Sequence, residues 1–227
     1  MSVILVIAAH PDDEILGVGA TISKKISNGD EAFALILGEG QTSRGDKREN
    51  TPPEAIASLR ENSISAGKII GFTQIYFEDF PDNRFDSVDL LNIVKTVEKY
   101  LKLIKPNILY THHAHDLNID HRITSTAVLT ATRPIENYPV EEIYAFETVS
   151  STEWNFGDKN KAFYPNVFID IEEHFLKKCD AMKKYKSELC SFPHPRSLEM
   201  LEYNAKRWGG IVGKRYAEAF ELLRKVE

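Results

Sequence analysis

The chain has 227 residues, of which 42% are hydrophobic, enough to bury one sizeable core. Its formal charge of -6 argues against a general polyanion binder, so no nucleic-acid partner is expected. Only two cysteines are present, Cys179 and Cys190, both in a lysine-rich stretch that reads as helix; they exclude a disulfide-built fold and fit a reduced, cytoplasmic protein.

Met1-Ser2 leads straight into VILVIAA without a basic leader region, and no apolar run nears the ~20 residues of a membrane span. Neither export by a signal peptide nor a membrane span is expected. Val3 to Ala8 reads as a strand buried on both faces. Helical spacing follows in Ile15, Val18, Ile22 and Ile26, and the NGD at 28–30 closes that helix as a turn. Residues 31–37 are a second buried strand, and 38–53 a long polar loop of the kind that carries function or moves. A helix runs from Glu54 to about Ile70 and ends at Gly71; 73–78 is a short strand; Ser87, a candidate N-cap, opens a helix to about Ile104; 106–113 is strand again. Past residue 140 the pattern is less regular, with no convincing linker, so residues 1–227 are expected to form one domain.

This alternation predicts an α/β fold with a mostly parallel central sheet and helices on both faces. Ligands in such sheets bind beyond the carboxyl ends of the strands, where strand order reverses. Two polar clusters lie at strand ends. AHPDDE at 9–14 sets His10 before three consecutive acids, Asp12, Asp13 and Glu14; YTHHAHDLNIDHR at 110–122 holds four of the seven histidines. The clusters converge if their strands are neighbours.

Adjacent acids repel one another, so their grouping suggests a cation or a proton-transfer task, although a helix N-terminus alone also favours them. His10 and Asp13 are three apart, on one side of a starting helix, and make a partial zinc site. A third ligand such as His121 would complete a set with an open position for water. Asp12 is then placed to take a proton from that water. His112, His113 and His115, taken singly, read as satisfied or surface histidines. His121 is favoured because Asp116, Asn118 and Asp120 nearby supply groups that orient ligands or substrate.

AHPDDE at 9–14 together with DLNIDHR at 116–122 resembles the LmbE-like, or PIG-L, family of zinc-dependent de-N-acetylases. LGEG (37–40), FPDNRFD (80–86), SSTEW (150–154), FPHPRS (192–197) and AEAF (217–220) extend the likeness along most of the chain. The resemblance implies a Rossmann-like three-layer sandwich and removal of acetyl groups from N-acetylglucosamine-type sugars on various carriers. It implies one zinc on His10, Asp13 and His121, with Asp12 as general base and a homo-oligomeric state. The sequence departs from the family at one place. Many members have His-Pro-Asp-His in the second motif, whose first histidine helps hold the oxyanion; here Asn118-Ile119-Asp120-His121 stands there. Asn118 can donate to an oxyanion but cannot protonate an amine, which leaves His113, His115 or Asp12 for that step, with Asp120 as a further candidate catalytic group.

Substrate contacts are read at Arg60, which resembles a sugar-contacting family position, at Asp116, at Trp154 as a stacking surface, and at Arg196 as an anion holder. Residues 176–189 read as a helix with a solvated basic face. Three rival readings remain. GVGA at 17–20 suggests a dinucleotide site, though HPDDE fills the place of the phosphate loop. A receiver-like module would bind magnesium at Asp12 and Asp13 and accept phosphate on Asp79. A non-catalytic sugar or metal binder would share the fold without the chemistry.

Overall fold

The run VILVIA contains no polar residue, so both its faces must be covered. In the computed structural model, which describes residues 1–43, 48–134 and 140–227, it forms strand β1 (Val3–Ala8). Its side chains alternate between two cores, as a period of two requires: Ile4 and Val6 join one cluster, Leu5 and Ile7 the other. The chain continues through α1 (Asp13–Ser27), β2 (Glu31–Gly38), α2 (Pro53–Ile70), β3 (Gln74–Phe80), α3 (Leu90–Ile104), β4 (Ile108–His112), α4 (Ile119–Ala131) and β5 (Glu142–Phe146). β6 (Val167–Asp170), α5 (Phe175–Met182), α6 (Leu198–Ile211) and β7 (Ala217–Lys225) follow.

Among the described residues the seven strands form one sheet in the order β3-β2-β1-β4-β5-β7-β6. β1 to β5 pair in parallel, and β7 runs antiparallel to both of its neighbours. One core cluster takes side chains from α1, α2, α5 and α6, the other from α3 and α4. The fold is therefore an α/β three-layer sandwich with a mostly parallel sheet, as the alternation of elements predicted.

Strand order reverses between β1 and β4, which are hydrogen-bonded in parallel from Ile4↔Ile108 to Val6↔Tyr110. The two polar clusters leave the carboxyl ends of these neighbouring strands, which is the convergence the sequence required. Gly38, at the end of β2, permits a close approach there. Its amide donates to Ala9 O at 2.7 Å, and a Cβ at this position would lie 2.7 Å from the same oxygen.

Several sequence expectations need correction. Ser87 does not cap a helix: Phe85–Ser87 is a single 3-10 turn, Ser87 Oγ donates to Arg84 O at 2.7 Å, and α3 starts at Leu90. The helix expected over 176–189 stops at Met182, and Cys190 lies beyond it. Its basic face is not wholly solvated. Lys178 is buried, with Nζ donating to Glu218 Oε1 at 2.6 Å and Leu16 O at 2.7 Å, because the β7 acid needs a partner inside the core. The GVGA glycines serve packing: a Cβ on Gly17 would stand 2.2 Å from the Phe146 ring. Residues 44–47 of the long polar loop lie outside the described residues.

Candidate active site

β1 ends at Ala8, and Ala9 and His10 carry the chain past the sheet edge. Pro11 has no amide hydrogen, and Asp12 takes φ 113°, a left-handed conformation uncommon for a residue with a side chain. Strain of this kind concentrates where a side chain must point one way. The Asp12 amide donates to Glu14 Oε2 at 3.0 Å, and Glu14 also accepts from the Tyr185 hydroxyl. Burial pushes the Glu14 carboxyl up to about 7, although these donors oppose the shift. One of the three consecutive acids thus holds the backbone of another.

β4 delivers the second cluster. Asn118 caps α4, its Oδ1 accepting from the Asp120 amide at 2.8 Å, and His121 enters the site one turn later. His10 Nδ1 lies 3.2 Å from His121 Nε2 and 3.4 Å from Asp13 Oδ2, and His121 Nε2 lies 3.3 Å from that oxygen. Three ligands about 2.0–2.1 Å from one tetrahedral ion stand about 3.3 Å apart, so this triangle has the size of a metal site. The other Asp13 oxygen, Oδ1, is buried without a hydrogen-bond partner among the described residues. Two imidazoles, a carboxylate and an unsatisfied buried oxygen fit a divalent ion.

The surroundings hold these groups in place. Asp116 Oδ1 is 3.1 Å from His121 Nδ1 and accepts from the Ser151 hydroxyl, while Oδ2 accepts from Thr152 Oγ1 at 2.5 Å. Asp120 Oδ2 is 3.0 Å from His10 Nε2 and accepts from the Asn83 amide at 2.6 Å; Oδ1 accepts from the Phe85 amide at 2.9 Å. Each histidine therefore has a carboxylate beside its far nitrogen, hydrogen-bonded at His10 and in charge contact at His121, the kind of neighbour that orients histidine rings in metal sites. His112 stacks on His121 with centroids 4.0 Å apart. Its Nε2 accepts from the Ala9 amide at 2.9 Å, so Nδ1 carries the hydrogen, toward Thr148 Oγ1 at 3.1 Å.

Electrostatics separates the acids. Burial works against the Asp13 charge, but His121, His112 and His10 outweigh it and hold its pKa well below the usual range. Burial likewise opposes Asp116, yet His121, Ser151 and Thr152 bring it to about 2. Asp12 goes the other way. Burial raises it well above its ordinary value, reinforced by Asp13, Glu188 and Glu14, and Arg196 only partly offsets this.

A cleft opens over the triangle. Its lining includes His10, Asp12, Ser43, Asp82, Asn83, Asn118, Glu188 and Arg196. The structure thus brings together His10, Asp12, Asp13, Asn118 and His121, with Asp116 and Asp120 behind the histidines and Arg196 at the wall. Asp116, expected to touch substrate, is instead fully buried against His121. Asp120, expected among the catalytic groups, is fully buried behind His10 and does not line the cleft.

Other expectations fall elsewhere. His113 does not reach the cleft: Nδ1 bonds Glu221 Oε2 at 2.8 Å and Nε2 the Lys161 carbonyl at 2.9 Å. Arg60 does not line the cleft, although Leu59, one residue and about 100° round α2 from it, does. It donates to Glu78 O at 3.2 Å and pairs with Asp79. That pairing, with the Asp79 side chain 73% exposed, also removes Asp79 as a buried phosphate acceptor. Trp154 packs edge-on against His194 and does not line the cleft. Asp82, Asn83, Glu188 and Ser150 were missed as site residues. FPDNRFD pointed to the first two and SSTEW to Ser150; Glu188, an acid among lysines, gave no local signal.

The His113 pair makes a testable prediction. Burial lowers the His113 pKa, but Glu221 and the Lys161 carbonyl outweigh it and raise it above 6.5, while His113 lowers Glu221 below 4.5 despite burial. The histidine's stabilising contribution is complete below pH 6.5 and is lost as pH rises through the higher folded value. His113→Gln is expected to cost about 2 kcal/mol near pH 6, and less at pH 9, in urea unfolding. An equal cost at both pH values would refute the charged pair.

The family model described as GlcNAc-PI de-N-acetylase, PIG-L, matches residues 5–132, more than half of the chain. The chain belongs to the PIG-L family. Among relatives, an uncharacterized deacetylase of Escherichia coli K12, YaiS, is 31% identical over 190 residues, covering 81% of this chain and 90% of that one. Solved structures share the fold. N,N'-diacetylchitobiose deacetylase from Pyrococcus horikoshii, complexed with its inhibitor MPG, has TM-score 0.77 and 20% identity, covering 98% of this chain and 84% of its own. GalB, the 4-carboxy-2-hydroxymuconate hydratase of Pseudomonas putida KT2440, has TM-score 0.75 and 20% identity over 100% and 99%. At such identities the likeness shows the fold alone. Both His10-Pro11-Asp12-Asp13 and His121 fall inside the PIG-L match.

Proposed function

We propose that this PIG-L family chain is a zinc-dependent hydrolase that removes the acetyl group from an N-acetylated sugar or sugar conjugate, releasing acetate and a free amine. The observation that carries the reading is the triangle of His10 Nδ1, Asp13 Oδ2 and His121 Nε2, with edges of 3.2–3.4 Å, beneath a cleft bordered by Asp12. Its ligand set, two histidines and one carboxylate, is of the type found in catalytic zinc sites that keep one position open. When bound there, zinc supplies Lewis acidity and lowers the pKa of a water.

The protein's own groups do the rest. Asp12 takes the proton: Oδ2 is engaged by Arg196, and Oδ1 has no hydrogen-bond partner among the described residues. With His113 enclosed by its partners and His115 exposed outside the cleft lining, Asp12 is also the group placed to return that proton to the departing amine. Asn118 offers N–H toward the oxyanion from the cleft wall, although one hydrogen already goes to Asn83 Oδ1 at 2.8 Å. Ser43, Asp82, Asn83 and Gln41 give the cleft the hydroxyl, amide and carboxylate groups that match sugar hydroxyls. The deacetylase names of the relatives support the acetamide, and the hydratase on the same fold shows why the site, rather than the fold, must carry the argument.

Acetate release from N-acetylglucosamine, diacetylchitobiose and acidic conjugates of N-acetylglucosamine tests the reading. Zinc-loaded protein is expected to release acetate from at least one, and chelated protein from none. Equal release by chelated protein would remove zinc from the chemistry; a metal-loaded protein that hydrates an unsaturated acid and frees no acetate would replace the activity. A homo-oligomer is expected from the family, and the mass in solution decides it.

A further inference from the structure

Arg196 comes from FPHPRS, 184 residues after Asp12 and beyond residue 132, where the family match ends. Its Nη1 donates to Asp12 Oδ2 at 2.9 Å and reaches Glu188 Oε2 at 3.4 Å, and its Nε donates to Ser150 Oγ at 2.7 Å. The backbone beneath is also held: the Arg196 amide donates to His194 Nδ1 at 3.1 Å, and the His194 ring is braced by Trp154. An arginine kept for a substrate anion would present its fork unpaired. This one has two of its three nitrogens committed to the chain's own groups. Among the described residues, no other side chain bonds the Asp12 carboxylate.

We propose that Arg196 is the positioning residue of Asp12: by clamping Oδ2 against a frame of Glu188 and Ser150, it aims Oδ1 into the cleft. The inference rests on the reading of Asp12 as the proton acceptor. It assigns the segment after residue 140 a part in the reaction, because the base is held from there while the candidate metal ligands come from the turn after β1, the start of α1, and α4. Glu14 fixes the Asp12 backbone from one side and Arg196 its side chain from the other, so neither rotation is free.

The test is Arg196→Gln, with Arg196→Lys as the variant that keeps the charge and loses the planar fork. In crystal structures of the zinc-loaded proteins, Arg196→Gln is expected to lose the single Asp12 side-chain position while His10, Asp13 and His121 stay in place with zinc content unchanged. On an N-acetyl sugar without ionic groups, kcat is expected to fall by about 10- to 100-fold, the cost of misplacing a reacting group by roughly an ångström, with KM within about twofold. Arg196→Lys is expected to fall between that variant and the wild type, and it decides the matter if Arg196→Gln does not fold. An unmoved Asp12, a raised KM at unchanged kcat, or loss of zinc would each overturn the proposal. Should the wild type release no acetate from any substrate, the proposed activity fails, and the Asp12 position in the variant still decides the positioning role.

Discussion

Asp12→Asn is expected to leave zinc content at the wild-type level and to lower kcat by about 100-fold or more. The amide keeps the size of the carboxylate, and its oxygen can still accept from Arg196, so the geometry at 2.9 Å need not collapse. What is lost is the capacity to take a proton. Folding should survive, because asparagine tolerates a left-handed φ better than most residues and because Asp12 is a buried acid whose charge is disfavoured where it stands. Steady-state kinetics beside a metal assay checks this. Wild-type turnover in a zinc-loaded variant would remove Asp12 from the reaction, and loss of zinc would make it a ligand instead.

His121→Ala is expected to reduce metal content from about one ion per chain to near zero and to abolish acetate release. It also strips Asp116 of its buried partner, leaving Ser151, Thr152 and the Asn118 amide to satisfy that carboxylate. The variant should therefore melt below chelated wild-type protein, because a buried charge without its counter-charge destabilises even when hydrogen-bonded. Metal analysis distinguishes two donor groups that share His10. His10, Asp82 and Asp120 also lie close enough to hold an ion. Retention of metal in His121→Ala would place the ion there, whereas its loss assigns it to His10, Asp13 and His121. The second group already serves another purpose, since Asp120 accepts two backbone amides and faces His10 Nε2.

The two predictions draw on residues whose legibility in the sequence differed. His10, Asp12 and Asp13 were readable because a strand end followed by clustered acids is a local pattern, and local patterns survive in sequence. His121 was readable as a candidate, but its meeting with His10 depends on β1 and β4 being neighbours, which no stretch of sequence states. Arg60 and Arg196 show the limit more sharply. Both are arginines beside plausible motifs; one pairs with Glu78 and Asp79 outside the cleft lining, and the other closes on Asp12 from the far end of the chain. His113 sits beside His112 in sequence, yet alternation along the chain sends it to Glu221 rather than to the cleft.

The amino-acid order by itself determined the α/β class, the order and approximate bounds of the elements through β4, and the acid-histidine chemistry at two strand ends. These follow from short-range causes: the period of burial, turn residues and the ligand preferences of side chains. Tertiary structure alone decided the strand order that joins the two motifs, the carboxylates behind His10 and His121, the burial of Lys178 against Glu218, and the contact between Arg196 and Asp12. Apart from Asp116 and His121, which lie five residues apart and were legible as neighbours, these are pairings across tens to nearly two hundred residues, set by which surfaces pack together, and packing is a property of the whole chain.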